Sequence, residues 1–327
     1  MLTITRQPGD ALSTPSDLSA VLQAGRRAPS ADNSQPWALR ARGSSIELAF
    51  DPARARSGHI GNLAAQMTLG AILESMDLVA RASSDLAGAI DARATNRAPF
   101  DPAPLAADVL DAIASEGSAD ASVFLTNDPC RREIVASAAA AADRVRFAAT
   151  PLEDLHRWLR FSPEDAEATK DGLDVRLLAL GRSERVGLRM CGSAAGASVV
   201  RALGGAAMAG RRARAEVLAA GGLGLVTQPA LGDADFVASG RVMLRAWLRA
   251  TQLGLGFAPI CAAVFLPLSR HFGAVFERKH DDALAAAERG LREAFAVPET
   301  HHPVFLFRLG IPTDVPRVRS ERREIAQ

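Results

Sequence analysis

Between Arg26 and Trp37 the chain reads Arg-Arg-Ala-Pro-Ser-Ala-Asp-Asn-Ser-Gln-Pro-Trp, a run of polar donors and acceptors held between two prolines. Pro29 and Pro36 lack an N–H and push the residue before each out of the helical region, so the segment between them is bent and preset. Ser30, Asn33, Ser34 and Gln35 bring hydroxyls and amides that can face a polar ligand, and Trp37 opens an apolar stretch that anchors the loop. On residue types alone the run is either a ligand loop or a helix end followed by a polar turn. Metal chemistry has less support. His59, His156, His271 and His280 stand alone, and His301 and His302, adjacent in extended backbone, face opposite ways.

The order Pro29-Ser30-x-x-Asn33-Ser34-Gln35-Pro36-Trp37 resembles the signature loop of the FMN-dependent nitroreductase family. A second segment, Arg93-Ala94-Thr95-Asn96-Arg97, resembles the Arg-x-Ser/Thr-x-Arg stretch that opens an ordinary chain of that family. In those chains the arginine segment comes first and the loop second, and each flavin site of a two-fold dimer takes one from each subunit. Here the order is reversed and each motif occurs once. The resemblance therefore implies an α+β, nitroreductase-like fold with a central mixed sheet flanked by helices, built from two diverged halves fused in one chain. It is the arrangement of the pseudo-dimeric, Acg-like subfamily, with residues 1–88 as the first half and 89–327 as the second. One FMN per chain follows, because the second site would lack both motifs.

The resemblance also implies roles. The dianionic FMN phosphate calls for guanidinium forks, assigned to Arg93 and Arg97 with Arg319, Arg322 and Arg323 of the basic tail. The flavin's pyrimidine edge and ribityl chain call for Ser30, Asn33, Gln35, Thr95 and Asn96, on a loop shaped by Pro29, and Arg97 is placed to stabilise charge on the reduced ring. Asn96 is alternatively a helix cap. Leu253-Gly254-Leu255-Gly256, with Pro259 and Ile260, resembles the family's Gly-Leu-Gly segment at the ring, or else is a plain helix terminus. One departure stands out: Ala262-Ala263-Val264-Phe265 has no Glu-Gly pair, leaving the backbone of 258–262 to supply an N–H. The flavin carries the redox chemistry, so no catalytic side chain is assigned. The implied activity is ping-pong hydride transfer from NADPH or NADH through flavin N5 to a nitroaromatic, quinone or other electrophile. The alternative is a non-catalytic protein that sequesters FMN under a closed lid.

The elements that must position these residues follow from periodicity. A helix capped by Ser16 or Asp17 delivers the loop at Arg26, after a loose arm over 1–16, and a hairpin pairs Trp37–Arg42 with Ile46–Phe50. A long helix spans Gly61–Ala82, with Gly70 where another helix backbone can approach. A connector at 83–92 leads to a helix at 106–114, a strand at 122–126 and a helix ending near Ala149. Two short helices, 151–160 and 163–168, precede a Gly/Ala/Arg-rich excursion over 170–222, read as a lid with one or two helices. Strands at 223–228, 257–265 and 304–309 alternate with helices at 236–253 and 281–294.

Composition narrows the partners. A chain of 327 residues with 48% hydrophobic content builds a sizeable core, and a net charge of +1 gives no general attraction to nucleic acid or to an anionic membrane. The expected partner is a small molecule, and the expected state a monomeric pseudo-dimer or weak homodimer. Cys130, Cys191 and Cys261 are odd in number and lack zinc spacing, which fits a cytoplasmic protein, with Cys191 and Cys261 as small apolar fillers. No run is expected to reach the roughly 18 apolar residues of a membrane span. With no tyrosine, 13 Phe and 3 Trp, an aromatic-rich cleft is not expected.

Overall fold

A computed structural model describes residues 2–4, 15–43, 45–55, 58–81, 84–314 and 318–325. Its elements run β1 (Leu2–Ile4), α1 (Pro15–Arg26), β2 (Trp37–Arg42), β3 (Ser45–Phe50) and α2 (Gly58–Arg81), then α3 (Ala107–Ala114), β4 (Ser122–Thr126) and α4 (Pro129–Ala149). The middle of the chain gives α5 (Leu152–Arg157), β5 (Leu159–Arg160), α6 (Pro163–Thr169), β6 (Leu173–Asp174), α7 (Arg182–Met190), α8 (Ala194–Ala202) and α9 (Gly205–Leu218). It closes with β7 (Gly222–Gln228), α10 (Asp233–Gln252), β8 (Gly256–Pro259), α11 (Ala262–Arg270), α12 (Arg278–Phe295) and β9 (His302–Gly310).

The architecture is α+β. The main sheet has the order β4-β7-β9-β8, and a smaller one the order β1-β3-β2. Every described pair in the main sheet is antiparallel, where a mixed sheet was expected. The cause is β9. The unit β7-α10-β8 would make a parallel pair, but β9 inserts between the two strands and turns that pair into two antiparallel ones. Successive side chains point to opposite faces of a strand, so Val226 and Phe307 pack toward α2 and α10 while Leu225 and Leu306 pack toward α4 and α12. Both faces are covered, which is why β7 is buried throughout.

Helices α2 and α10 cross in close contact. A Cβ added at Gly70 would lie 2.0 Å from the Val237 carbonyl oxygen, and one at Gly240 would lie 2.0 Å from that of Met67. Two glycines therefore set the approach, with a carboxylate beside them: Glu74 on α2 is buried and pairs with Arg241 at 2.8 Å and Arg245 at 3.2 Å. By length and composition Asn62–Arg81 is also long and apolar enough to cross a bilayer, contrary to the sequence expectation, but most of it is buried inside the protein.

Other expectations need correction. Within the expected loose arm, Leu2–Ile4 pairs with β3, while residues 1 and 5–14 lie outside the described residues. The strand expected over 257–265 ends at Pro259, and α11 begins at Ala262. An apolar run of this length cannot be told from a buried helix by periodicity alone. The excursion over 170–222 is mostly regular, with three helices, α7, α8 and α9, rather than one or two.

Candidate functional site

The loop after α1 is held by the chain's own polar groups. Asp32, Asn33 and Gln35 have φ of 50°, 54° and 50°, a left-handed region that costs a non-glycine residue energy and is least costly for Asn and Asp. The loop keeps this shape through long-range bonds. Asn33 Nδ2 donates to the carbonyls of Gly172 at 2.9 Å and Glu321 at 3.0 Å, and its Oδ1 accepts from Arg322 Nη1 at 2.6 Å. Gln35 Nε2 donates to Lys170 O at 2.8 Å, and Gln35 Oε1 accepts from Arg323 N at 2.8 Å. Ser30 Oγ accepts from Gln35 N at 3.1 Å.

A continuous cavity of about 630 Å³ opens beside this loop. Of the residues singled out from sequence, Pro29, Ser30, Asn33, Arg93, Thr95, Arg97, Pro259, Ile260 and Arg322 line it. Six do not. Gln35 is buried between segment 170 and the tail. Asn96 is spent on the backbone: its Nδ2 donates to Asp314 O at 2.9 Å and its Oδ1 accepts from Ala98 N at 3.0 Å, a local turn rather than a ligand contact or helix cap. Gly254, at φ +73° just past α10, is an exposed helix terminus, and Gly256 is small because a Cβ there would lie 2.4 Å from the Phe100 ring. Arg319 is exposed and donates to the carbonyls of Asp91 and Ala92. Arg323 pins the loop through the carbonyls of Gln35 at 2.6 Å and Trp37 at 3.1 Å.

One end of the cavity is strongly basic. Arg93 is only 9% exposed, donates to Arg27 O at 2.8 Å and lies 4.7 Å from the centre of the Trp247 ring. Trp247 stacks on Phe257 at 4.3 Å, and Phe257 on Phe307 at 4.5 Å, so the guanidinium rests on a rigid aromatic column. Burial, together with the positive charges of Arg322, Arg27 and Arg319, pushes Arg93 down to about 9. Burial and the charges of Arg27 and Arg26 push Arg322 down to about 10. Neither has an ion pair among the described residues, and Arg322 Nε is buried without a hydrogen-bond partner. The counter-charge in this cluster is limited to Asp91, 3.0 Å from Arg27, and Glu321 beside Arg322, which leaves the cations suited to meeting an anion.

The middle of the cavity is built by α2, α10 and the β8–α11 junction. Burial lowers the Arg97 pKa, and Asp32, Cys261 and Glu216 oppose that effect in this order. Cys261 lines the cavity and is exposed, so it is not the apolar filler expected; Cys191 is buried. Ile260 N–H donates to Leu306 O at 2.8 Å. In the first turn of α11, Val264 and Phe265 N–H donate to Cys261 O at 3.2 and 2.9 Å, and Ala262 lines the cavity. Aromatic residues are more prominent than expected, with Phe147, Trp247, Phe265, Phe276 and Phe305 in the wall.

The far end is roofed by 143–216. Its charges are paired: Arg146 with Asp143 at 2.5 Å, and Arg212 with Glu184 at 3.0 Å and Glu216 at 2.8 Å. Sequence reasoning missed Met243 and Trp247, although their four-residue spacing on α10 puts them on one helix face. It also missed the roof leucines, which come from several short elements and share no periodicity.

No protein-family model matches the chain, and no curated protein matches it. Similar solved structures include a nitroreductase with bound FMN from Bacteroides fragilis, 15% identical over 75% of this chain and 100% of that one, with a TM-score of 0.39. An NADPH:FMN oxidoreductase from Vibrio harveyi complexed with NAD+ is 13% identical over 72% of each chain, with a TM-score of 0.35. An FMN-dependent nitroreductase from Clostridium difficile is 13% identical over 70% of this chain and 88% of that one, also at 0.35. At such distances the functional reading rests on the site's own residues.

Proposed function

We propose that the chain is an FMN-dependent oxidoreductase. The observation that carries this reading is the pair Arg93, buried, and Arg322, half-buried with its Nε enclosed and unbonded: neighbouring arginines depress both, neither has an ion pair among the described residues, and both line a cavity large enough for a cofactor. The donor set fits a flavin mononucleotide. Arg93 and Arg322 would hold the phosphate, with Ser30 and Ser320 beside it. Thr95, Thr68 and Arg97 would meet the polar edge of the ring, and Pro259–Ala262 would border its face. Held by these residues, FMN would supply hydride chemistry between NADPH or NADH and a nitroaromatic, quinone or other electrophile. The chain's part is to bind, to orient and, through the roof of α7, α8 and α9, to limit water. Arg97 lines the cavity and, unlike Arg146, has no ion pair among the described residues, so it would stabilise negative charge there.

The reading includes one site per chain. The two proposed halves, 1–88 and 89–327, meet where α2 crosses α10 glycine to glycine, as an interface between two subunits would if they were joined into one monomeric chain. Purified protein should bind FMN at one per chain, and anaerobic NADPH or NADH should bleach the visible flavin band. A protein that stays colourless with added FMN would sink the reading. Bound flavin that neither nucleotide bleaches would assign the chain to sequestration, a role the same roof would serve.

A further inference from the structure

The cavity does not stop at the residues a flavin needs. Beyond Arg97 and Cys261 it runs under the roof into a compartment walled by Phe147, Leu155, Leu159, Leu178, Leu188 and Met208. Leu159 is buried with Leu173 in one cluster, against which Leu155, Leu178 and Leu188 pack while keeping part of their surface open. These residues come from α4, α5, β5, the turn at Val175–Leu178, α7 and α9, so at least six separate elements converge on one apolar wall. On α7 the inward residues Glu184, Gly187 and Leu188 line the cavity at helical spacing, whereas Arg182, Arg185 and Arg189 are exposed.

The charges at this end are cancelled in place, as the Arg146–Asp143 and Arg212–Glu184–Glu216 pairs show. An anionic group entering here would lose its hydration and meet arginines that already have carboxylate partners, while a hydrocarbon would lose nothing and gain contact.

We propose that the roof compartment binds the hydrocarbon tail of an uncharged electron acceptor, an alkyl- or prenyl-substituted quinone, whose ring sits at the cavity's middle beside Arg97 and Cys261. This rests on the flavin reading above and goes beyond it by fixing the acceptor's class. The balance is quinone plus NAD(P)H plus a proton giving hydroquinone plus NAD(P)+: the nicotinamide loses two electrons and a proton as hydride, and the second proton comes from water.

The test uses FMN-loaded protein and benzoquinones carrying methyl, butyl and octyl chains. KM should fall with chain length by up to about fourfold per added methylene until the compartment is filled. A carboxylate at the chain end should remove the gain. In the double variant Leu178→Asn/Leu188→Asn, checked for FMN binding at one per chain, the butyl and octyl KM values should converge. Reduction of all three quinones with equal KM overturns the inference while leaving the flavin reading intact. A second arm needs no turnover: flavin-free protein should take up the uncharged dye Nile red and release it to octylbenzoquinone but not to octanoate. Absence of uptake, or equal release by octanoate, overturns the inference even where no flavin binds.

Discussion

Two arginine clusters in this molecule differ in one respect that decides what each is for. On α10, Arg241, Arg245 and Arg249 face Glu74 of α2 and Glu116 of the loop after α3, with Glu116 Oε1 2.8 Å from Arg249 Nε. Burial alone would lower Arg241, but Asp77 and Glu74 raise it, and Asp85 and Glu116 raise Arg249. At the cavity, no carboxylate opposes the burial of Arg93, Glu321 only partly offsets that of Arg322, and both are depressed. The connecting loops match this contrast. Residues 115–121 leave α3 for β4 as a tight turn closed by Ser118 N–H donating to Ala121 O at 2.8 Å, and their Glu116 serves the paired cluster. Residues 27–36 leave α1 for β2 with Asp32, Asn33 and Gln35 in the left-handed region and border the unpaired one. Similar helix–loop–strand frames thus support an internally neutralised interface in one place and a cluster of depressed arginines in the other.

Removing a partner from the paired cluster should have the largest effect. Glu74→Ala removes the carboxylate that Arg241 and Arg245 share, leaving Arg241 with Asp77 and Arg245 with Glu116, and should cost about 3 kcal/mol of unfolding free energy in urea; a loss under ~0.5 kcal/mol would break the contrast. FMN affinity should stay within a small factor of wild type. Arg93→Gln inverts the pattern. FMN binding, followed by fluorescence titration, should weaken by about 1.5–3 kcal/mol, while ligand-free stability should hold or rise because a repelling cation is gone. A parallel loss of both would show that Arg93 is a structural residue only.

Titration sharpens the same point. Arg93 at about 9 and Arg322 at about 10 lie below the ordinary arginine value, so above those pH values the unfolded chain binds more protons than the ligand-free folded one. Their contribution to stability is therefore least favourable below pH 9 and improves as pH rises through 9 to 10. FMN affinity should move the opposite way, declining as Arg93 loses its charge. A flat affinity between pH 8 and pH 10 would count against this assignment. The smallest effect belongs to Arg323→Ala, which removes two side-chain bonds to loop carbonyls and should cost about 1 kcal/mol locally, read as faster hydrogen exchange over 27–37.

The sequence makes the loop and the arginine segment legible because their residue types are unusual and closely spaced. It makes most helices and strands legible because their periodicity is clean. What it leaves unread depends on which polar group reaches which partner. Asn33 and Asn96 look equally suited to a ligand, yet only Asn33 reaches the cavity, and much of its own hydrogen bonding goes to Gly172, Glu321 and Arg322. Gly254 and Gly256 fit a ring-facing pattern but answer to a helix end and to Phe100. Ala262–Arg270 contains Pro267, a residue that argues against a helix in any local reading; burial of Ala263–Ser269 overrides it. The roof is hardest, because its apolar wall exists only once distant short elements converge.

Asn33 also links pieces of chain that are far apart: its side chain bonds residues 139, 288 and 289 positions away. Closing loops of that length costs entropy before any contact repays it, so such contacts form late in folding. The arginine-lined end of the cavity therefore has no local precursor. Flavin uptake should trail the appearance of secondary structure during refolding, and a bound flavin should report that the two ends of the described chain have found each other.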